Sequence, residues 1–555
     1  MRPIPKGRPT DPGALEEVRA LLGDAPRRPD LLIEHLHRIQ DAHGHLSARH
    51  LVALATEMRL TPAEVYEVAT FYHHFDVVDD GETPPPALTV RVCDSIACEL
   101  AGAGALIEAL QDALGDQVRV RRSPCVGRCD QAPVAVVGEN PVGSADVASV
   151  KAAVDDGSDG VQLPEYESFE AYMARGGYSA VHTCFGSARA TEAMFDRIER
   201  FIEEADDSGL RGLGGAGFPA ARKWQFVRAE PKPHYMVVNA DEGEPGTFKD
   251  RYCLETHPHQ VLEGMLIAAC AVEADDVFLY VRDEYPAARE ILSREIEVLK
   301  AWPELELPRI HLRRGAGAYI CGEETGLIES IEGKRGMPRL RPPFPAQNGV
   351  FGLPTLVHNV ETLYWLPEIL RNGASSFAAN GNDGHDGKRL FSVSGRVKRP
   401  GVYEAPNGIT ARQLIDTAGG MLDGHTFYAY LPGGASGGIL PASKGDLPLD
   451  FGGKLAEHGC FVGSGAVVIL SDHDRARDAA LNVMRFFADE SCGKCTPCRV
   501  GTAKSIELMR RDSWDRALLG ELGTAMADAS ICGLGQAAPN PVRCVIEYFP
   551  EELES

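Results

Sequence analysis

The chain has 555 residues, 25% of them charged, and a formal net charge of −24 at pH 7. This length predicts about three to five domains, and the acidity argues against nonspecific binding to nucleic acid or to anionic lipid. Its apolar runs are too short for a membrane span, and its first residues lack the apolar core of a signal peptide. We therefore expect a cytoplasmic protein without direct membrane insertion.

Residues 1–80 are predicted to form a small helical domain. Apolar residues between 32 and 39 recur with the helical period. The segment that starts at Thr61 is a capping box, with proline at the first helical position. Histidines are frequent here: His35, His37, His43, His45, His50, His73 and His74. Because no cysteine or carboxylate pattern accompanies them, we expect solvated surface residues rather than metal ligands.

Residues 81–160 are predicted to form a small α/β domain, with strands near 88–93, 118–121 and 132–137 around a helix at 102–114. Its cysteines lie on loops at strand ends: Cys93, Cys98, Cys125 and Cys129. Two separated pairs can also bind zinc. Small residues beside the second pair, and pairs that end neighbouring strands, favour a [2Fe–2S] cluster.

Residues 161–385 alternate between helical and strand patterns, which predicts a layered α/β domain. The glycine-rich run at 209–219 formally matches G-x-G-x-x-G through Gly212, Gly214 and Gly217. A charged helix precedes it where a dinucleotide fingerprint needs a strand. Glycines nevertheless let backbone N–H groups approach a phosphate, and Lys223 adds positive charge. The alternative is a flexible loop.

Two acidic segments follow in the same domain. Residues 238–246 come at the end of a predicted strand, where ligands bind in open α/β sheets. Residues 317–325 contain the carboxylate pair Glu323 and Glu324. Such a pair serves acid–base chemistry or begins a helix, and the residues alone leave both interpretations open. A rigid proline-rich strip with Arg341 and Phe344 comes next.

Residues 386–472 are predicted to form a small sheet-rich domain, and residues 473–555 a helical bundle. The bundle contains Cys492, Cys495 and Cys498 at regular spacing on a tight loop. This triple favours a [4Fe–4S] cluster over zinc. Cys532, beside glycines, is the candidate fourth ligand, and Cys544 is its rival. The cysteines outside both sets are expected to be small buried apolar residues: Cys184, Cys253, Cys270, Cys321, Cys460 and Cys544.

Five segments together carry a family resemblance: GLGGAGFPAARKW, NADEGEPGTFKDR, AYICGEETGLIESIEGKRG, RLRPPFPAQNGVFGLPTLVHNVETL and SCGKCTPCR. They resemble the NADH-oxidising flavin subunit of respiratory complex I and its relatives. Residues 1 to about 155 resemble its thioredoxin-like [2Fe–2S] partner subunit, here fused to it. The sheet-rich part resembles that subunit's ubiquitin-like β-grasp (SLBB-type) domain, and the C-terminal part its helical cluster domain.

The resemblance implies FMN, a [4Fe–4S] cluster and a [2Fe–2S] cluster as cofactors, with NAD(H) as substrate. Hydride would pass directly between NADH and FMN, without a catalytic side chain. The implied FMN contacts are Gly212, Gly214, Ala216, Gly217, Lys223, Asn239, Asp241, Glu242, Gly243, Tyr319, Gly322, Glu323, His358, Asn359 and Thr362. The implied NADH contacts are Phe218, Phe226, Glu244, Glu324, Arg341 and Phe344. Leu213 and Arg341 depart from the complex I pattern, which has arginine and lysine there.

Among relatives, the fusion and the GLGGAG, GEPGTFKDR and ETLYW variants are most similar to the β subunit of NAD-dependent formate dehydrogenases. That implies a hetero-oligomer with a large iron–sulfur subunit that binds a molybdenum or tungsten pterin cofactor. The alternatives are the diaphorase subunit of a NAD-reducing hydrogenase and fused complex I subunits. Two further hypotheses are a zinc-stabilised scaffold and a stand-alone NADH dehydrogenase.

Overall fold

The computed structural model of the protein describes residues 8–185, 192–303, 307–382 and 384–553. The described part of the N-terminal region is helical, as predicted. Its elements are α1 (Pro12–Leu22), α2 (Leu32–His43), β1 (Leu46–Ser47), α3 (Ala48–Met58), α4 (Pro62–Ala69) and β2 (Val77–Val78). The capping box is confirmed: Thr61 Oγ1 accepts from the Glu64 N–H at 3.2 Å, and the Glu64 carboxylate accepts from the Thr61 N–H at 2.7 Å.

The expectation of solvated histidines is wrong for part of this region. His35, His37 and His50 are only 1%, 3% and 2% exposed. The physical reason is that α2 is covered on several sides, by α1, by α4 and by a strand of the middle region (Arg309–Arg314), while α3, which carries His50, packs against α1. The polar face of α2 would stay in water if the helix packed on one neighbour only. Here it is buried between the N-terminal helices and the middle region.

The second region is a four-stranded sheet with helices. Its elements are β3 (Leu88–Cys93), α5 (Ile96–Leu100), α6 (Ala103–Leu114), β4 (Val118–Ser123), β5 (Ala135–Val137), β6 (Asn140–Val142) and α7 (Val147–Asp155). The strand order is β4-β3-β5-β6, with β3 parallel to β4 and antiparallel to β5. Because β3 and β4 run in parallel, the segments that follow them start at the same edge of the sheet.

The middle region is built on a parallel sheet. Its elements are α8 (Phe169–Ala174), α9 (Ser179–Phe185), α10 (Glu192–Asp207), α11 (Ala220–Arg228), β7 (His234–Ala240), α12 (Lys249–Thr256), α13 (Pro258–Ala271), β8 (Ala274–Val281), α14 (Pro286–Lys300), β9 (Arg309–Arg314), α15 (Glu324–Ile331), β10 (Thr355–Asn359), α16 (Val360–Asn372) and α17 (Ala374–Ala378). The strand order is β10-β7-β8-β9. The chain moves outward from β7 to β9 and then returns to the other side of β7, so the topological switch point lies between β7 and β10.

The fourth region is sheet-rich, as the sequence predicts, and its sheet is mixed. Its elements are β11 (Lys388–Gly395), β12 (Gly401–Pro406), α18 (Ala411–Thr417), β13 (Phe427–Leu431), β14 (Leu440–Pro441) and β15 (Ala466–Ser471). The order is β12-β11-β15-β13-β14, with β11 and β15 parallel at its centre. The helices α19 (Ala476–Asp489), α20 (Thr496–Met509), α21 (Arg516–Ala529), α22 (Gly533–Ala537) and α23 (Asn540–Tyr548) end the described chain.

The expected multidomain α/β architecture is confirmed, while the domain limits drawn from the sequence stay predictions. Along the described ranges, every helix is too short or too polar to cross a bilayer. The apolar run within α13 instead belongs to a helix that is buried along its whole length. Cys253, Cys270, Cys321, Cys460 and Cys544 are buried, as predicted, whereas the side chain of Cys184 lies outside the described residues.

Candidate functional site

The switch point brings two asparagines together. Asn239 is the next-to-last residue of β7, and its register partner on β10 is Asn359. The Asn239 amide donates to the Gly322 carbonyl at 2.8 Å. The Asn359 side chain caps α16 by accepting from the Glu361 N–H at 3.0 Å. Two residues that are distant in sequence thus lie side by side at the carboxyl ends of neighbouring strands, and they form the floor of the crevice that is expected there in an open α/β sheet.

The glycine-rich run folds back on itself over this floor. The Gly212 N–H donates to the Phe218 carbonyl at 2.8 Å, and the Leu213 N–H donates to Thr362 Oγ1 at 2.9 Å. Gly217 has a φ of +65°, and a Cβ there would lie 2.5 Å from the Phe451 ring. The loop is therefore ordered by specific contacts, and its conformation needs glycine at position 217.

Gly214 lies directly against the floor. A Cβ at this position would be 3.0 Å from Asn359 Cβ. Gly214 and Ala216 are both exposed. The backbone there can be approached closely from solvent, as the sequence predicts.

Charged residues form one wall of the crevice. Glu324 accepts from Lys223 Nζ at 3.2 Å through one oxygen and from Arg341 at 3.3 Å through the other. These side chains are between one-fifth and one-third exposed. Glu323 acts differently, because its carboxylate caps α15 and accepts from the N–H groups of Thr325 and Gly326, each at 2.9 Å. The sequence left the role of this carboxylate pair open. In the structure the two carboxylates differ: Glu323 caps a helix, and Glu324 pairs with Lys223 and Arg341.

The adjacent His358 is a neutral, buried acceptor. The Trp224 indole N–H donates to His358 Nε2 at 2.7 Å. Since an indole nitrogen can only donate, the proton of this imidazole sits on Nδ1. Burial, together with the nearby Lys223 ammonium, lowers the pKa of His358 to about 3. His358 therefore positions Trp224 and carries no charge at neutral pH.

Asp241 has a buried carboxylate oxygen without a partner. Oδ2 has no hydrogen bond within the described part of the chain. Burial raises the pKa of Asp241 well above its ordinary value. An unpaired buried polar atom is costly, so this oxygen points to a missing hydrogen-bond partner at the end of β7.

Glu242 and Glu244 flank the same turn but are already engaged. Glu242 accepts from the N–H groups of Asp250 and Arg251, at 2.8 and 3.0 Å, and from the Tyr285 hydroxyl at 2.8 Å. Burial raises its pKa to about 7. Glu244 accepts from both the N–H and the hydroxyl of Ser436 at 2.7 Å. In this structure Glu242 holds α12 against the sheet, and its predicted contact with FMN stays a prediction.

Tyr319 stands between the crevice and the C-terminal helices. Its hydroxyl donates to Glu244, and its backbone N–H donates to Glu490 at 2.8 Å. A Cβ on Gly243 would lie 2.9 Å from the Tyr319 ring. The glycine therefore allows the ring to pack across the turn.

Three aromatic rings are exposed on the segments that carry the other predicted site residues. Phe218 and Phe226 are 39% and 55% exposed, and their ring centroids are 6.2 Å apart. Phe344 is 52% exposed on the proline-rich strip. Exposed rings of this kind are suited to stacking on a planar ligand.

The N-terminal cysteine set converges at the edge of the second region. Cys93 ends β3, Cys98 lies in α5, and the Sγ atoms of Cys125 and Cys129 are 3.4 Å apart. All four side chains are at most 3% exposed. The Cys93 thiol is within hydrogen-bonding reach of both Cys98 and Cys125. The set is therefore a single buried group of sulfur atoms.

The C-terminal set surrounds the start of α20. Cys498 and Cys532 are buried, and Cys492 and Cys495 are half-buried. Burial raises the pKa of the Cys498 thiol to about 11 and that of Cys532 to about 12. Buried thiols with such raised pKa values are readily ionised only by a bound metal. Cys544 instead lies beside Cys460, with their Sγ atoms 3.5 Å apart.

Four family models match the chain in succession. They are the thioredoxin-like [2Fe-2S] ferredoxin (residues 18–158), the Nuo51 FMN-binding domain (205–368), the SLBB domain (390–440) and the iron–sulfur binding region of NADH-ubiquinone oxidoreductase-F (478–555). The F 2 subunit of NADH-quinone oxidoreductase from Rhizobium meliloti (strain 1021) is 39% identical over 409 residues, which are 71% of this chain and 95% of the relative. This chain belongs to the family of NADH-quinone oxidoreductase F subunits.

Another member and one solved structure agree with this assignment. The NADH-quinone oxidoreductase F subunit of Aquifex aeolicus (strain VF5) is 40% identical over 411 residues, or 70% of this chain and 92% of the relative. A chain of the NAD+-reducing [NiFe]-hydrogenase in its H2-reduced state superposes with a TM-score of 0.81 at 34% identity. That match covers 95% of this chain and 93% of the other, so it includes the N-terminal regions. The chain is thus a NAD-dependent flavin and iron–sulfur oxidoreductase subunit.

The cofactors of this family are FMN, a [2Fe–2S] cluster and a [4Fe–4S] cluster, and its substrate is NAD(H). The residues of this chain fit them. The unpaired Asp241 oxygen and the glycine backbone suit the polar edge and phosphate of FMN. Each cysteine set supplies the four thiolates of one cluster. The expected β-grasp (SLBB-type) and thioredoxin-like domains are confirmed.

Sequence reasoning missed several residues that hold the site. Trp224, Lys249, Asp250, Arg282 and Glu490 all contact predicted site residues. Lys249 and Asp250 lie within the segment NADEGEPGTFKDR, so the family resemblance of that segment could have identified them as site residues. Nothing in the local sequence marks Arg282 or Glu490, because their partners come from other regions of the chain.

Proposed function

We propose that this chain is the NAD-coupling subunit of a cytoplasmic hetero-oligomeric enzyme, and that its partner is a formate-oxidising subunit with a molybdenum or tungsten pterin cofactor. NAD-coupled electron transfer belongs to the family, whereas the donor and the partner are the proposal. Its support is the resemblance of the GLGGAG, GEPGTFKDR and ETLYW variants of this chain to those of formate dehydrogenase β subunits.

The observation that carries the electron-transfer function is that both cysteine sets adjoin the crevice. The Arg282 guanidinium donates to the carbonyl of Cys125 at 2.6 Å and to the carbonyl of Glu242 at 2.5 Å. On the other side, Tyr319 is bonded to Glu490, which lies just before Cys492. One pocket is thus connected by direct contacts to two groups of metal-binding thiols.

We assign the residues of the crevice as follows. The glycine loop and Lys223 would hold the FMN phosphate, and Asn239, Asp241 and Asn359 its polar edge. Phe218, Phe226 and Phe344 would stack with NADH, while Glu324 and Arg341 meet its polar groups. Bound FMN supplies the conversion between the electron pair of a hydride and the single electrons that iron–sulfur clusters accept. The chain's part is to orient the nicotinamide and to keep water away, which requires no side-chain base.

A first experiment tests the coupling function. The chain is purified anaerobically, and its absorption spectrum, flavin and iron are measured. About one FMN and about six irons per chain are expected for clusters of four and two irons, with bleaching when NADH is added. A colourless chain with zinc would contradict the proposal and favour a zinc-stabilised scaffold. Full turnover with a soluble acceptor and no partner would favour a stand-alone NADH dehydrogenase.

A second experiment tests the partner. The chain is isolated from its own cells with whatever protein accompanies it, and formate-dependent and hydrogen-dependent NAD+ reduction are compared. A pterin-containing subunit and formate-dependent NADH formation are expected. Molybdenum or tungsten in the complex would identify the metal.

The second candidate is the diaphorase subunit of a NAD-reducing hydrogenase. It is favoured by the match to a chain of that enzyme over almost the full length of both. It predicts a nickel-containing partner and NAD+ reduction by hydrogen but not by formate. Complex I subunits in fused form would instead accompany quinone-reducing membrane proteins.

A further inference from the structure

Three side chains meet where the N-terminal helices contact the middle region. His37 and Asp41 lie one turn apart on α2, and His74 follows α4. One ring nitrogen of each histidine and a carboxylate oxygen of Asp41 lie within 4.8 Å of one another. His37 is 3% exposed, so at least one of these groups is removed from water.

Each histidine uses one nitrogen for a bond to a neighbour. His37 Nε2 lies 2.9 Å from the Gly315 carbonyl, and His74 Nδ1 lies 2.6 Å from an oxygen of Asp283. A carbonyl and a carboxylate only accept hydrogen bonds, so these two nitrogens carry the protons. The lone pairs then sit on His37 Nδ1 and His74 Nε2.

Those two nitrogens are buried and have no hydrogen-bond partner within the described residues. Leaving two buried lone pairs unsatisfied at one place is costly. Histidines that bind metals have this same arrangement, in which the second nitrogen donates to a carbonyl or a carboxylate and fixes the ring orientation. The arrangement therefore points to a cation between the two rings.

The charges nearest the group are paired. Asp41 and Asp283 both accept from Arg314, at 2.7 and 2.6 Å, and a nitrogen of Arg289 lies 3.6 Å from an oxygen of Asp283. The bonds to Gly315 and Asp283 each occupy one ring nitrogen and leave the other nitrogen of the same ring free to coordinate. A neutral imidazole is the form that binds a metal.

We propose that His37, His74 and Asp41 bind a divalent transition-metal cation of the zinc type. Two imidazoles and one carboxylate are a donor set for such ions, and three protein ligands leave a position open. Asp41 and His74 line a cavity of about 800 Å³, which provides access and room for a water ligand. Through Gly315 and Asp283, the metal would tie the N-terminal helices to the middle region.

The test uses the full chain with both iron–sulfur clusters loaded and zinc chloride as the probe. After addition of zinc and dialysis against a weak chelator, zinc and iron are measured by mass spectrometry. The zinc K-edge absorption spectrum reports the ligands without interference from flavin or iron. We expect one retained zinc per chain, with nitrogen and oxygen neighbours, an imidazole signature and no sulfur.

The variants H37Q and H74Q remove the proposed ligands, and D283N removes the carboxylate that orients His74. H37Q and H74Q should abolish retention, and D283N should weaken zinc affinity by about 10- to 100-fold. The matched control is H35Q. His35 is also buried on α2, with Nε2 bonded to the Pro26 carbonyl at 3.0 Å and Nδ1 unpaired among the described residues, but it is outside the group.

Three results would overturn the proposal. They are no retained zinc in the wild-type chain, equal retention in H74Q and wild type, or sulfur neighbours that place the zinc in a cysteine set. In the first case, ordered water would satisfy the two nitrogens. Flavin content, iron content and the thermal midpoint of every variant show whether a loss of zinc reflects a loss of fold.

Discussion

Glu490 and Tyr319 join the flavin crevice to the C-terminal cysteine set, because the Tyr319 backbone N–H donates to Glu490 Oε2 at 2.8 Å. The same tyrosine ring meets the Phe486 ring of α19 edge to face, with centroids 4.9 Å apart. Glu490 is 5% exposed. The contact thus fixes the loop of Cys492 relative to the crevice in a water-poor environment.

We expect E490A to loosen this connection. The variant leaves a buried N–H unpaired, which costs about 1–3 kcal/mol of stability, and it should slow electron passage to the C-terminal cluster while NADH still reduces the flavin. Stopped-flow absorbance after mixing with NADH separates the two phases. E490Q keeps an acceptor oxygen and should behave nearly as wild type. Equal rates in wild type and E490A would show that the contact is dispensable.

The fourth ligand of the C-terminal cluster can be decided between Cys532 and Cys544. Because a Cβ on Gly535, three residues after Cys532, would lie 2.8 Å from Cys498 Cβ, and because Cys544 lies against Cys460, C532S should lose one cluster and C544S should not. Iron should fall from about six to about two per chain in C532S. Iron quantitation and low-temperature EPR of the reduced chain measure this. Full iron in C532S would assign the ligand elsewhere.

The glycine loop offers a comparison between two neighbouring positions. A Cβ on Gly212 meets only an ordinary contact, 3.5 Å from the Phe218 carbonyl oxygen, whereas one on Gly217 clashes with Phe451 at 2.5 Å. G217A should therefore lose stability and FMN together. G212A should fold normally, so any loss of FMN there reports close approach of the phosphate to the backbone.

The control for both variants is G520A in α21, where a Cβ has open space. Flavin and iron contents are measured for all three. An FMN content equal to that of wild type in both G212A and G217A would show that the glycine loop does not bind the flavin.

Lys249 is a buried cation whose loss should be severe. Its ammonium group is 0% exposed and lies 2.8 Å from Asp250 and 3.0 Å from Glu361. K249M leaves both buried carboxylates without their counter-charge, which should cost about 3–5 kcal/mol. The urea midpoint followed by tryptophan fluorescence measures this. K504M removes an exposed lysine bonded to Glu507 and should cost at most about 1 kcal/mol; equal effects would contradict the expectation.

The buried His358 predicts a particular dependence on pH. Its folded pKa is about 3, against an ordinary value of 6.5. Between these values the unfolded chain binds a proton that the folded chain does not, so stability falls as pH decreases from 6.5, by up to about 1.4 kcal/mol per pH unit. H358Q still accepts from Trp224 but lacks this term. Its urea midpoint should fall less between pH 6.5 and 5, and parallel profiles would refute the assignment.

Much of the fold could be predicted because local patterns agree with it. The capping box at Thr61, the strand that ends at Cys93 and the helical face of α19 are each encoded within a few neighbouring residues. The spacing of Cys492, Cys495 and Cys498 likewise restricts the chemistry before any fold is known. The prediction that failed was that the histidines of α2 are exposed to solvent. The helix has the pattern of a surface helix, but another part of the chain covers its polar side.

The sequence by itself determined the cysteine sets, the order of helices and strands and the glycine loop, because these depend on neighbours along the chain. Only the tertiary structure decided that Asn359 lies beside Asn239 and that Arg282 connects Cys125 with Glu242. It also decided that His37 and His74 face a common buried space. These relationships join residues that are far apart in sequence. They arise when sheet pairing and domain contact bury polar groups that must then find partners.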